Sequence, residues 1–277
     1  MEKTYIINGK QLTFNKAQVM AIINLTPDSF YDGGRFSSIS DIVKDVERKI
    51  NEGATIIDLG AASSRPNAAP LAVKDEILRL GEPLRRIRNE FPHIFLSVDT
   101  YLSEVADFAI SEGADIINDI SGGKLDENML QVVVKQQVVY VLMHMQGTPQ
   151  NMQHNPQYDD VTKTIFDFFK ERIAYFQSVN FDKIILDVGF GFGKTVEHNY
   201  MLLKNISDFT KLEFPVLAGL SRKSMINKVI NTMPTTALNG TTALNMLALQ
   251  NGANVLRVHD VKEAKQVIDL FEFYKNV

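Results

Sequence analysis

Residues 52–60 read Glu-Gly-Ala-Thr-Ile-Ile-Asp-Leu-Gly, and this stretch decides the fold. A helical pattern stops at Gly53, and a short apolar run then ends at polar and small residues. Glycine takes the left-handed conformation that closes a helix ahead of a short loop into a strand. The device returns as Glu112-Gly113-Ala114 before DIINDI and as Asn251-Gly252-Ala253 before NVLRVHD. The first two copies lie 60 residues apart, two units of about 30 residues, the size of a strand–helix repeat. Apolar runs bounded by turn residues predict strands near 19–23, 54–59, 94–98, 115–118, 138–142, 183–187, 215–219 and 254–258. Helices are predicted near 40–52, 72–91, 103–112, 125–136, 158–178, 196–206, 222–231 with 236–250, and 260–275. Eight strands alternating with eight helical stretches indicate an α/β parallel barrel of the (β/α)8 or TIM type, with an open doubly wound sheet as the alternative. Ahead of it, residues 5–14 read as a hairpin around Asn8-Gly9, placed to close the bottom of the barrel. Residues 1–16 thus precede the barrel, and 1–277 is expected to be one domain.

The chain has 277 residues, slightly more than the ~250 of a typical barrel of this kind. Its apolar fraction of 45% and charged fraction of 22% are those of an ordinary globular protein. The net charge is −4 with no basic run, which argues against a nucleic-acid partner. No cysteine occurs, which removes disulfides, thiolate metal sites and a cysteine nucleophile, and fits a reducing cytoplasm. The N-terminal MEKTYIINGKQLTF lacks a signal-peptide core, and no apolar run reaches the ~18–20 residues that span a bilayer. No membrane association is expected.

Function concentrates at the strand ends. The stretch Met20–Gly34, MAIINLTPDSFYDGG, runs from a buried strand into a long loop carrying Asp28, Phe30 and Asp32. In a barrel of this type, chemistry sits where strands end. Those ends supply Asn24, Asp58, Asp99, Asn118, His144, Asp187, Ser221-Arg222-Lys223 and Arg257-Val258-His259. Singly, each is as readily a helix cap or turn residue. Together they make a rim of two characters. Asp99, Asp187 and Asn118 offer acceptors to a donor-rich heterocycle, unless Lys223 and Arg257 are their partners. Arg65, Arg257 and His259 form a cationic set suited to phosphate. Asn24 beside Asp28 supplies hard oxygen ligands for Mg²⁺. The run Gly189-Phe190-Gly191-Phe192-Gly193-Lys194 fails as a P-loop, because Val188 stands where glycine is required. It fails as a dinucleotide fingerprint because of Lys194. It reads instead as backbone that approaches a flat ligand, with Phe192 to stack on it. The five histidines show no zinc spacing.

In order along the chain stand NLTPDSFYDGG, SSRP, SVDT, IIND, VLMH, DVGFGFGK, GLSRKS and RVHD. From about Ala17 to the C-terminus the sequence resembles the dihydropteroate synthase family. That resemblance implies a pterin-binding barrel, usually a homodimer. Such enzymes join 6-hydroxymethyl-7,8-dihydropterin diphosphate to 4-aminobenzoate and release pyrophosphate with Mg²⁺. It implies that Asp99, Asn118, Asp187 and Lys223 hold the pterin, with Met143, Phe192 and Gly219 lining its slot. Asn24, Ser64, Arg65, Arg257 and His259 would hold the diphosphate, with Asn24 and Asp28 at the metal. Aminobenzoate would lie near Phe30, Ser64 and Pro66, with its carboxylate at Ser224 and Lys223. Early loss of pyrophosphate suits a weakly nucleophilic aromatic amine. Asp99, Asp187 and Asp32 would then stabilise the cationic pterin methylene.

The sequence departs from the family at Ala61-Ala62, at Ser64 for the commoner threonine, at Asn67 for glycine and at Val188 for proline. A folate-dependent methyltransferase and a catalytically silent pterin-binding homologue are the alternatives that share the fold. Thr236–Gln250 is too apolar for a lone surface helix, so it either packs on the barrel or forms a subunit interface, the latter preferred.

Overall fold

A computed structural model describes residues 3–25, 38–62 and 70–277. Thr4–Ile7 (β1) and Lys10–Thr13 (β2) form an antiparallel hairpin. Both Asn8 and Gly9 have positive φ, as the expected tight turn requires. The following strands are Gln18–Asn24 (β3), Ile56–Gly60 (β4), Phe95–Asp99 (β5), Ile116–Asp119 (β6) and Val139–Met143 (β7). Ile184–Asp187 (β8), Val216–Ala218 (β9) and Val255–Val258 (β10) complete the set. The eight strands from β3 to β10 are parallel and close into a barrel, with β10 paired to β3.

Helices return the chain between strands: Ile39–Asn51 (α1), Val73–Glu90 (α2), Ser103–Ser111 (α3), Met129–Gln136 (α4) and Val161–Ser178 (α5). Then come Val196–Lys204 (α6), Ile206–Thr210 (α7), Ser224–Ile230 (α8), Leu238–Gln250 (α9) and Val261–Lys275 (α10). The three Gly-Ala junctions share one geometry. Gly53, Gly113 and Gly252 have φ of 107°, 98° and 103°. The next amide in each, at Ala54, Ala114 and Ala253, bonds 2.9 Å back to the carbonyl of Lys49, Ala109 and Ala248.

Several predicted helices start later than the sequence suggests, two of them for a visible local reason, and one divides. Asp126 accepts from the Ser103 and Asn128 amides, so the chain turns before α4 begins at Met129. Arg222 takes φ of 59°, which delays α8 to Ser224. The stretch 196–206 breaks at Asn205 into α6 and α7.

The hairpin closes the barrel bottom as expected. Tyr5, Ile7, Leu12 and Phe14 are buried against Met20, Ile56 and other inward residues of the strands' lower layer. Tyr5 also donates to the Ile184 carbonyl at 2.6 Å. A two-stranded hairpin is marginal alone, and each fully buried large side chain stabilises it by ~1.5–3 kcal/mol. Asp115 fastens it further, accepting from Lys10 and Arg88 at 2.6 Å each and from the Leu96 amide at 3.0 Å.

The helix at 238–250 packs on its neighbours. Its Leu244, Ala248 and Leu249 are buried and Leu247 is left outside. No helix of the described residues is long and apolar enough to cross a membrane.

Candidate active site

Strand register sets the upper rim. Asn24 pairs with Gly60, Gly60 with Asp99, and Asp99 with Asn118, so the ends of β3 to β6 lie in one layer. Met143 pairs with Asp187 across β7 and β8. Asp58 sits two residues below Gly60 on the same side of β4, because strand side chains alternate.

Arg257, on β10, reaches across the barrel. Its Nε donates to Asp58 and its Nη2 to Asp99, each at 2.7 Å. Asp58 is fully buried and also accepts from Ser97 at 2.5 Å and from Asn118 Nδ2 at 3.1 Å. Burial holds the Asp99 carboxyl above its ordinary range, although Arg257 pulls it down. For Arg257, burial lowers the pKa, but Asp58 and Asp99 outweigh that and hold it firmly charged. Arg257 is therefore the partner of the rim carboxylates, one of the two roles open to it from sequence. Asp58 is the residue that sequence reasoning left without a role.

Asp187 is 5% exposed, and burial raises its pKa, with the Lys223 charge opposing. Its Oδ1 accepts the Gly189 amide at 2.8 Å. Lys223 passes between two glycines: a Cβ on Gly191 would stand 3.4 Å from its Cδ, and one on Gly219 3.6 Å from its Nζ. Its ammonium donates to the Phe190 carbonyl and stands 5.0 Å from the centre of the Phe192 ring. Burial pushes the Lys223 pKa down to about 8, while Asp187 opposes the shift. Met143, Ile120, Met145 and Met152 form a separate apolar cluster on which Tyr101 and Phe192 pack. A flat heterocycle thus finds an apolar, polarisable wall beside carboxylates, an amide and an ammonium.

The loops after β9 and β10 are clipped together by two adjacent pairs. Ser221 Oγ lies 3.0 Å from His259 Nδ1, and Arg222 bonds Asp260 through Nε at 2.9 Å and Nη2 at 2.7 Å. His259 was expected as a cation. Burial and the neighbouring Arg257 guanidinium push its pKa down to about 4, so at neutral pH it is an uncharged imidazole. Ser224 is exposed at the first turn of α8.

His144 does not join the rim. It is 4% exposed, its ring packs edge-on against Phe168 at 5.1 Å, and burial pushes its pKa down to about 2. Val188 is fully buried in the core between barrel and helices, where its apolar side chain needs no proline ring. Asp28, Phe30, Asp32, Ser64, Arg65 and Pro66, with the departure at Asn67, lie outside the described residues. Among the described residues no cluster of three His, Cys, Asp or Glu could hold a metal. Asn24, at the exposed end of β3, does offer one hard oxygen. Its Oδ1 would lie 3.9 Å from a Cβ on Gly60, and Asp99 Oδ2 would lie 4.0 Å from the same point. The missing Gly60 side chain keeps that space open, and hard oxygen donors of this kind suit Mg²⁺.

Comparison with known proteins follows the same rim. The family model described as pterin binding enzyme matches residues 20–259. The dihydropteroate synthase of Haemophilus influenzae is 40% identical over 271 residues, covering 97% of this chain and 98% of its own. Among solved structures, Yersinia pestis dihydropteroate synthase in a sulfonamide drug complex superposes with a TM-score of 0.94 at 37% identity, over 99% of this chain and all of that one. Xanthomonas albilineans dihydropteroate synthase with 4-aminobenzoic acid gives 0.92 at 35% identity, with both chains fully covered.

Proposed function

We infer the reaction from one premise: the chain belongs to the dihydropteroate synthase family. It is a transferase of folate synthesis that joins 6-hydroxymethyl-7,8-dihydropterin diphosphate to 4-aminobenzoate, giving 7,8-dihydropteroate and pyrophosphate. The observation that carries this reading is the convergence of Asp99, Asn118, Asp187 and Lys223 beside the Met143–Phe192 wall.

In our reading the pterin's N–H edge bonds Asp187 and Asn118, and Lys223 donates to its acceptor edge. Gly219 and Gly191 leave the space that Lys223 needs. The diphosphate lies toward Asn24 and His259, with Ser64 and Arg65 arriving from their loop. Neutral His259 donates to a phosphate oxygen there. Asn24 and Asp28 would hold Mg²⁺, which supplies charge neutralisation for the departing pyrophosphate. When the bond from the pterin methylene to oxygen breaks, positive charge develops on the pterin. Asp99 and Asp187, with Asp32 from the loop, stabilise that charge from fixed positions. Preorganised contacts of this kind are commonly worth ~3–4 kcal/mol each at a transition state. The amine of 4-aminobenzoate, placed by Phe30, Pro66 and Ser224, then forms the new carbon–nitrogen bond and loses a proton to solvent.

The protein is proposed to work as a homodimer. Leu247 on α9, with Leu270, Phe273 and Tyr274 on the adjoining α10, are 44–73% exposed, which is costly for such residues in a monomer. The cysteine-free sequence agrees with a cytoplasmic setting.

Pyrophosphate release from the pterin diphosphate with Mg²⁺, with and without 4-aminobenzoate, tests the function. Release matched by pteroate formation is expected. Binding without release would overturn it.

A further inference from the structure

Lys194 ends the glycine run and is 4% exposed, yet no step above employs it. Its Nζ donates to the Phe192 carbonyl at 2.9 Å and to the His144 carbonyl at 3.2 Å, and stands 3.4 Å from His144 Nδ1. These partners are neutral. Burial pushes its pKa down to about 7, with Asp187 pulling the other way. A buried ammonium is a poor choice for filling space, since methionine has similar length and no charge to desolvate. What lysine adds is two bonds to two different strand-end loops.

Those loops touch through their backbones. A Cβ on Gly189 would lie 2.0 Å from the His144 carbonyl oxygen, and one on Gly193 2.6 Å from that of Gln146. Every carbonyl from Gly189 to Gly193 accepts a bond. Gly189 takes the Phe192 amide, Phe190 takes Lys223, Gly191 takes Gln153, Phe192 takes Lys194 and Gly193 takes Tyr158. Gln153 and Tyr158 belong to the segment after β7. The loop bearing Phe192 and the Phe190 carbonyl is therefore one body with the end of β7, and Lys194 stands inside the joint.

We propose that Lys194 is a positioning residue of the pterin slot: it ties the Phe192 carbonyl to the end of β7, and so sets the place of the Phe192 ring. The inference rests on the pterin reading of the site. It acts through Phe192, and so its effect must depend on that ring.

A double-mutant cycle on the full chain tests it, with affinity for the pterin diphosphate read by calorimetry. K194M should weaken binding about ten-fold in the wild-type background and less than about three-fold in F192L. Unchanged affinity, or the same loss in both backgrounds, would overturn the proposal. Should K194M fail to fold, Y158F removes one bond of the same joint. It should weaken binding about three-fold in wild type and leave F192L unchanged. An equal loss in the two backgrounds would again overturn the proposal. Wild-type protein that binds the diphosphate without releasing pyrophosphate would overturn the synthase reading and leave the cycle intact. Wild-type protein that binds no pterin would overturn both.

Discussion

Asp58 and Asp99 share one guanidinium: Arg257 bonds each of them at 2.7 Å, joining the middle of β4 to the end of β5 from the far side of the barrel closure. Asp99 lies at the rim, where ligand can reach it. Asp58 lies beneath with no exposure, holding Arg257, Asn118 and Ser97 at once. Removing one partner from a buried ion pair strands the others. Asp58→Ala should therefore cost ~3–5 kcal/mol of stability and also weaken pterin binding, because Asn118 and Arg257 lose their anchor. Urea unfolding and calorimetry on the same preparation measure both. A variant with wild-type stability and affinity would show that Asp58 does not organise the rim.

Lys223 sets an alkaline limit on activity. Burial lowers its pKa from 10.5 to about 8, so the group is an ammonium below that pH and a neutral amine above it. As pH rises through about 8, kcat/KM for the pterin diphosphate should fall. Lys223→Arg keeps its charge at any accessible pH, and should remove that limb even though its lower activity reflects poorer fit. A wild-type profile that stays flat up to the ordinary lysine value would refute the assignment.

The barrel itself was legible because its signals are local. An apolar run, a glycine in left-handed conformation and an amphipathic stretch each lie within a few residues of chain. The rim residues Asn24, Asp99, Asn118 and Asp187 were legible for the same reason, since three of them end a strand and Asn118 stands one residue before the end of its own. Asp58 resisted because its partners are 39, 60 and 199 residues away, and an isolated aspartate in a strand looks like a turn residue. His259 was misread as a cation because its charge state depends on burial beside Arg257, which a one-dimensional pattern does not carry. His144 failed differently: the polar residue after an apolar strand turned out to pack against Phe168. Lys194 closes the DVGFGFGK motif without a role that the sequence suggests, and only the convergence of two loops reveals its bonds.

The two faces of the barrel should separate in mutagenesis. Asp115 lies at the bottom, 1% exposed, and gathers Lys10, Arg88, Asn8 and the Leu96 amide. Asp115→Ala should lower stability by ~3–5 kcal/mol through the stranded Lys10 and Arg88, while kcat at a temperature well below unfolding stays near wild type. Steady-state turnover and urea unfolding separate the two effects. Loss of turnover in a fully folded variant would mean that the hairpin end communicates with the rim.

Two glycines of nearly equal φ test whether the loop after β8 is pressed onto β7. Gly9 has φ of 75° with nothing within 4 Å of its missing Cβ, whereas Gly189 has φ of 72° and a Cβ there would stand 2.0 Å from the His144 oxygen. Gly9→Ala bears only the left-handed penalty of ~1–2 kcal/mol and should leave pterin binding intact. Gly189→Ala carries the same penalty and must also push the backbone off His144. That movement breaks the hydrogen bond that the Gly189 N–H donates to Asp187 and displaces Phe190, on which Lys223 rests. It should therefore destabilise the protein more than Gly9→Ala does, and abolish measurable pterin binding. Denaturation and calorimetry on the pair isolate the contact from the conformation. Equal stability loss in the two variants, with pterin affinity preserved in both, would mean that the glycine loop is free of β7 and that its place is set by the ligand alone.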